Sequence, residues 1–203
     1  LADGAPLGLR QLDAEQLAAH YDMRVVGESR VAGRRAVVVQ MRPRDRHRYG
    51  FELHLDRLTA LPLKSLLLGE QGQLLERFQF TQLDTLTPLS DQSLRPSVSC
   101  LPIQAPPAAL EAVNHWLSNW LPPGFNLLAA REQADPASGV AVAWLLFGDG
   151  LARFSVFMQP LRDEPVMDAR MQLGPTAVVS KHMQTTEGEF MATVVGEIPP
   201  GTA

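Results

Sequence analysis

One cysteine, Cys100, stands among 203 residues. No internal disulfide can form, so the stapled framework of small secreted domains is excluded. An isolated thiol of this kind is expected as a bystander in a linker rather than a nucleophile. Nowhere does an apolar run approach the ~18 residues that a membrane-spanning helix needs. The five histidines, His20, His47, His54, His115 and His182, lack any metal-ligand spacing with a cysteine or a third ligand. Ser65 sits in no G-x-S-x-G elbow, and no glycine cluster precedes a helix to cradle phosphate. These absences argue against an enzyme, a metal site and a cofactor. Residues 1–10 also lack the basic start, apolar centre and small-residue cleavage site of a secretory signal. On that ground the chain reads as cytosolic, already processed, or a fragment.

What remains is an ordinary globular composition, 45% hydrophobic and 20% charged, long enough for one large domain or two small ones. Five short apolar runs, at 24–28, 35–41, 48–56, 61–68 and 73–83, are separated by glycine, proline and charged turns. This spacing predicts an antiparallel meander rather than βαβ units. Tyr49, Phe51, Leu53 and Leu55 alternate with Gly50, Glu52, His54 and Asp56. The period of two places the former on a buried face and the latter on a wet one. His54 and Asp56 are therefore expected as an exposed polar pair, although a metal or a general base could use them. Leu74, Phe78 and Phe80 share a predicted face with Glu76, on the side that would line a concavity or a core.

The net charge of −4 conceals an asymmetry. Residues 1–100 carry 13 Lys and Arg against 12 Asp and Glu, whereas residues 101–203 carry 5 against 10. Arg42, Arg44, Arg46 and Arg48 recur at every second position around Pro43 and Asp45. Such a cluster could attract an anionic ligand, or it could be solvated edge charge that discourages sheet-to-sheet aggregation. Nucleic acid is a poor fit, because the aromatics alternate away from the arginines and the isoelectric point is near 5.7.

From 84 to 107 alternation stops, and Pro88, Pro96, Pro102, Pro106 and Pro107 are interspersed with serines. The segment reads as a semi-extended linker, with a domain boundary near Arg95 that separates residues 1–95 from 96–203. Leu110, Val113, Leu117 and Leu121 then recur at helical spacing and predict a helix over 108–120. Strands are expected at 125–131, 140–147, 151–159, 176–183 and 189–195, with Gly148-Asp149-Gly150 as a tight hairpin turn. Ile198-Pro199-Pro200-Gly201 reads as the start of a further helix.

Particular stretches are recognisable together. They are Val31-Ala32-Gly33-Arg34, Pro43-Arg44-Asp45 leading to His47-Arg48-Tyr49-Gly50-Phe51, Leu61-Pro62-Leu63-Lys64 and Leu75-Glu76-Arg77-Phe78. Further on come Leu121-Pro122-Pro123-Gly124-Phe125, Gly148-Asp149-Gly150-Leu151 with Ser155-Val156-Phe157, and Val194-Val195-Gly196-Glu197-Ile198-Pro199. As an ordered set they resemble the RseB/MucB family of periplasmic regulators of an envelope-stress sigma factor. The resemblance implies an α+β protein, mostly antiparallel β. It would pair part of a curved half-barrel sheet, like that of the lipoprotein carriers, with a smaller helix-on-sheet domain. It also implies that the family's large domain begins before this chain does, so the chain is expected to be truncated.

The implied function is binding of the periplasmic segment of a membrane-spanning anti-sigma factor, shielding it from regulated proteolysis until a lipid or lipopolysaccharide signal releases it. A lipid or lipoprotein carrier is the alternative. Candidate lipid-facing residues are Phe51, Leu53, Phe78 and Phe80. For the partner, the candidates are Arg153, Phe154, Val156, Phe157 and Met158 with the linker, because a flexible segment commonly adds to a sheet edge or lies in an interdomain groove. Loss of early strands would leave an open sheet edge, for which either self-association as a homodimer or a covering helix over 9–20 is expected.

Overall fold

In a computed structural model, residues 14–97, 100, 116, 118–134, 139–161 and 166–203 are described. They form two open antiparallel sheets. The first is a five-stranded meander of β1 (Tyr21–Val31), β2 (Arg34–Pro43), β3 (Gly50–Asp56), β4 (Pro62–Leu68) and β5 (Leu74–Gln79), in that spatial order. The second contains β6 (Asn126–Ala134), β7 (Ala141–Gly148), β8 (Arg153–Pro160), β9 (Ala169–Leu173), β10 (Thr176–Thr185) and β11 (Gly188–Gly196). Its strand order is β6-β7-β8-β11-β10-β9. All five apolar runs of the first half are strands, so the meander was legible from alternation and turn chemistry.

The turns explain the register. Ala32 and Gly33 both take positive φ, 47° and 78°, as a two-residue turn matched to the twist of its flanking strands demands. Asp56 ends β3 by accepting the backbone N–H groups of Leu58 and Thr59 at 2.9 and 3.0 Å. Asp149 closes the β7–β8 hairpin in the same way, with Leu151 N and Ala152 N donating to Oδ1 at 2.9 and 2.7 Å.

A seven-residue helix, α1 (Ala14–His20), precedes β1. It is too short to be stable alone, and Leu17 anchors it by packing into a cluster with Tyr21, Met41, Tyr49, Phe51 and Leu67. The expected covering helix over 9–20 is thus seen over its last seven residues; positions 9–13 lie outside the described residues. A separate cluster of Val31, Ala36 and Leu63 is capped by Phe80 and Leu83. The second sheet has its own core, in which Phe147 stacks on Phe154 at 5.2 Å between ring centroids.

Several expectations are corrected. His54 and Asp56 are not an exposed pair: they are 6% and 3% accessible. Neighbouring strand and turn groups enclose them: Ser29 and Glu52 hydrogen-bond the imidazole, and Arg34 ion-pairs with Asp56. β5 stops at Gln79 rather than 83. After Phe80 N donates to Leu63 O at 2.9 Å, no further ladder bond follows among the described residues. Residues 84–97 coil through successive turns rather than running semi-extended, because Asp84 and Ser90 bond backbone N–H groups two to three residues on.

The predicted helix over 108–120 lies mostly outside the described residues. Trp116 and 118–120 are not helical, and the Ser118 hydroxyl donates to Trp120 O. Residues 199–202 make a single turn closed by Thr202 N donating to Pro199 O at 2.8 Å, not a helical start within the described chain. Strand β9 escaped the sequence reading. Each of its residues is exposed, so no alternation betrays it; the Gly174-Pro175 turn folds it onto β10 as an edge.

Candidate functional site at the junction of the two sheets

Arg48 leads into β3 from the β2–β3 loop, and its side chain is 0% accessible. Its Nη1 donates to Asp149 Oδ2 at 2.5 Å, and its Nη2 donates to the Pro123 carbonyl at 2.5 Å. Nε donates to Asp45 Oδ1 at 3.2 Å. The guanidinium also lies between two rings, 5.6 Å from the Tyr21 centroid and 4.9 Å from that of Phe125. A buried arginine is tolerated where its donors are matched by carboxylates and carbonyls, as here.

The second sheet supplies two of these three acceptors. Asp149 serves both structures at once: Oδ1 holds its own hairpin, while Oδ2 accepts from Arg48 and from the Tyr21 hydroxyl, the latter at 3.2 Å. Burial, and next the adjacent Asp149 carboxylate, push the Tyr21 phenol far above its ordinary value. Tyr21 therefore remains a neutral donor.

Further contacts surround this centre. His47 Nδ1 lies 3.3 Å from the Thr202 hydroxyl, and its ring meets Trp120 edge-on at 5.3 Å. Gln172 of β9 donates to the Tyr49 hydroxyl at 3.4 Å. Leu151 of the β7–β8 hairpin packs on the core of the first sheet. Gly124, at φ +84°, faces the His20 ring so closely that an added Cβ would overlap it. Elsewhere on the seam, burial, and next the charge of Glu76 on β5, raise the Glu197 carboxyl above its usual range.

The predicted site residues distribute differently from their sequence grouping. Arg48 does not join Arg42, Arg44 and Arg46 as free charge, because its guanidinium is committed to Asp149, Pro123 and Asp45. The other three are exposed, with Arg42 Nε donating to Gln40 at 2.9 Å and Arg44 Nε donating to Ala18 O at 3.3 Å. Arg42 and Arg46 line a groove of about 590 Å³ between the β2–β3 loop and the β4–β5 turn, opposite Glu70 and Gly72.

Of the four lipid candidates, Phe51 and Leu53 are buried in the α1-covered cluster, and Phe80 packs on the other one. Phe78 is 37% exposed and meets Phe80 edge-on at 5.7 Å. Phe51 and Leu53 thus lie in one cluster and Phe80 against another.

β8 is not an edge strand: β7 and β11 flank it, so its ladder groups are taken and a partner cannot extend the sheet there. Phe154 and Met158 are buried, Val156 and Phe157 are half-buried, and Arg153 is exposed. Phe154, Val156 and Met158 nevertheless line an apolar groove of about 240 Å³ with Trp116 and Trp120. Sequence reasoning missed Asp149, Tyr21 and Pro123 as functional neighbours of Arg48. Asp149 looks like an ordinary turn residue, and nothing local names a partner 101 positions away.

Two family models match the chain in order: the MucB/RseB N-terminal domain over residues 4–98 and the MucB/RseB C-terminal domain over residues 111–203. The sigma factor AlgU regulatory protein MucB of Pseudomonas aeruginosa is 57% identical over 203 residues, all of this chain and 64% of that protein. The chain thus spans a little under two thirds of that relative's length. A crystal structure of MucB in complex with MucA(peri) superposes with a TM-score of 0.83 at 57% identity, covering 96% of this chain and 68% of that one. A crystal structure of MucB gives 0.67 at 54% identity, covering 95% of this chain and 63% of that one. From the two family models in order and this degree of identity, the chain belongs to the MucB/RseB family.

Proposed function

We propose that the chain is a regulator that works by binding: it captures the periplasmic segment of a membrane-spanning anti-sigma factor and shields that segment from regulated proteolysis. The observation that carries this reading is the whole-chain superposition, TM-score 0.83 at 57% identity, on MucB solved in complex with MucA(peri). On this reading the site of action is the periplasm, and binding alone, with no catalytic group, accounts for the activity.

The apolar groove lined by Trp116, Trp120, Val156 and Met158 lies beside the seam, and it offers a flexible segment apolar surface without a free sheet edge. Within β8, Val156 supplies half-buried contact area and Arg153 an exposed charge. Lipid or lipopolysaccharide would release the segment by favouring a state with lower affinity for it, as any ligand that couples to a second one must.

Calorimetric titration of the chain with the periplasmic segment of P. aeruginosa MucA tests the reading. A saturable 1:1 complex that protects the segment from added protease is expected. Absence of heat together with unprotected cleavage overturns it.

A further inference from the structure

We infer that Arg48 is a positioning residue for partner capture: it fixes the two sheets in the one arrangement that receives the segment. The inference rests on the proposed function, which it deepens. Each sheet buries a core of its own, with Leu151 of the β7–β8 hairpin packed against that of the first. Several contacts join them, and the buried charged one is centred on the Arg48 guanidinium. Asp149 comes from the β7–β8 hairpin and Pro123 from the turn before β6, and both converge on Arg48 at 2.5 Å. Tyr21, at the start of β1, closes the same carboxylate from the other side.

The arrangement is all-or-none for a physical reason. Arg48 and Asp149 are 0% and 1% accessible. If the sheets shift, each charge loses its partner and must either find water or remain buried unpaired, which is strongly unfavourable. Intermediate placements are therefore disfavoured, whereas a neutral apolar contact would let the sheets slide. The apolar groove adjoins the same seam: Trp120 and Thr202, which line it, are the residues His47 contacts next to Arg48. A change at Arg48 thus reaches the groove through the adjacent residue. The two relatives' superpositions differ, 0.83 for MucB in complex with MucA(peri) and 0.67 for MucB.

The test uses the whole chain with Cys100→Ser and spin labels at Gln71→Cys and Glu187→Cys, both exposed turn positions on opposite sheets. The distance distribution between the labels reports the arrangement, and calorimetry with the MucA periplasmic segment reports capture. Arg48→Met should keep native circular dichroism, broaden the distribution and weaken binding at least tenfold, within the ~5–150-fold span of typical coupling. Asp149→Asn, which keeps an oxygen for the hairpin turn, provides the same readout should the methionine variant fold poorly. The double variant Arg48→Met/Asp149→Asn should bind no worse than Arg48→Met alone, because both act through one contact.

A distribution as narrow as wild type in the folded variants overturns the inference, as does unchanged affinity or strictly additive losses. If the unsubstituted chain binds no segment, the proposed function fails and so does the capture half of the inference. The label distances then still decide whether Arg48 fixes the arrangement.

Discussion

Arg48 and Asp149, 101 residues apart in the chain, meet at 2.5 Å with both side chains excluded from water. Asp149 does this while its other oxygen caps a hairpin. The pair is thus a tertiary contact built on a local turn.

Two substitutions separate these roles. Asp149→Asn retains an acceptor for Leu151 N and Ala152 N and removes the charge opposite Arg48. Asp149→Leu removes both. Breaking a buried pair from one side costs about 3–5 kcal/mol, and the loss of the turn bonds adds about 1 kcal/mol more. Urea unfolding followed by circular dichroism should rank wild type above Asp149→Asn and Asp149→Asn above Asp149→Leu. Equal stability of the two variants would show that the hairpin cap contributes nothing.

The His54 imidazole gives the chain a pH dependence with a defined sign. Glu52 carboxylate can only accept, so Nε2–H donates to it at 3.1 Å, and in the neutral ring Nδ1 accepts from the Ser29 hydroxyl 2.7 Å away. Burial lowers its pKa below the usual value and outweighs the opposing hydrogen bond to Glu52. A depressed folded-state value means that the unfolded chain binds the proton more readily. The stabilisation is then complete above about pH 6.5 and is lost as pH falls below it. Melting temperature should drop between pH 7 and pH 5, and His54→Gln should flatten that part of the profile. Proton NMR showing a charged His54 at pH 7 would contradict the assignment.

The sheets were legible because their code is local. Phe51 and Leu53 alternate with polar neighbours, and Ala32-Gly33 and Gly148-Asp149-Gly150 carry the turn chemistry on their face. The junction was not, because it depends on which loop meets which across the fold. Arg48 shares its spacing with Arg42, Arg44 and Arg46, and no property of its own segment marks it as buried. His54 and Asp56 failed for a related reason: alternation names two faces of a strand, yet it cannot say that Ser29, Arg34 and the β3–β4 turn close over the polar one. β9, wholly exposed, offers no hydrophobic period to read.

Across the seam, Glu76 raises the Glu197 carboxyl after burial has already done so. A carboxyl with a raised folded-state value opposes folding once it ionises, so this interaction weakens the fold as pH rises through the usual carboxylate range. Glu76→Gln removes one of the two charges. Since Glu76 is exposed, the gain should be about a few tenths of a kcal/mol at pH 7 and 50 mM salt. It should shrink at 1 M salt and vanish near pH 4. Thermal unfolding across those conditions checks it, and a gain independent of both pH and salt would point to a cause other than charge.

The division of the four predicted lipid-facing residues sets a last expectation. Leu53 is 6% accessible inside the cluster that α1 covers, and Phe78 is 37% accessible on the outer strand β5. Removing a buried leucine side chain loses its transfer free energy and leaves a cavity, so Leu53→Ala should cost about 2–5 kcal/mol. Phe78→Ala gives up a partly exposed ring and its edge contact with Phe80, which should cost about 1 kcal/mol. A lipid that occupied the face of Phe51 and Leu53 would have to displace Leu17 and with it α1. Leu17→Ala therefore separates two possibilities: if that face is a ligand site, loosening α1 raises acyl-chain binding while stability falls. If the face is a core alone, stability falls and fluorescent fatty-acid binding stays at the level of the unsubstituted chain. The dense packing of Leu17 against Tyr21 and Met41 favours the second outcome.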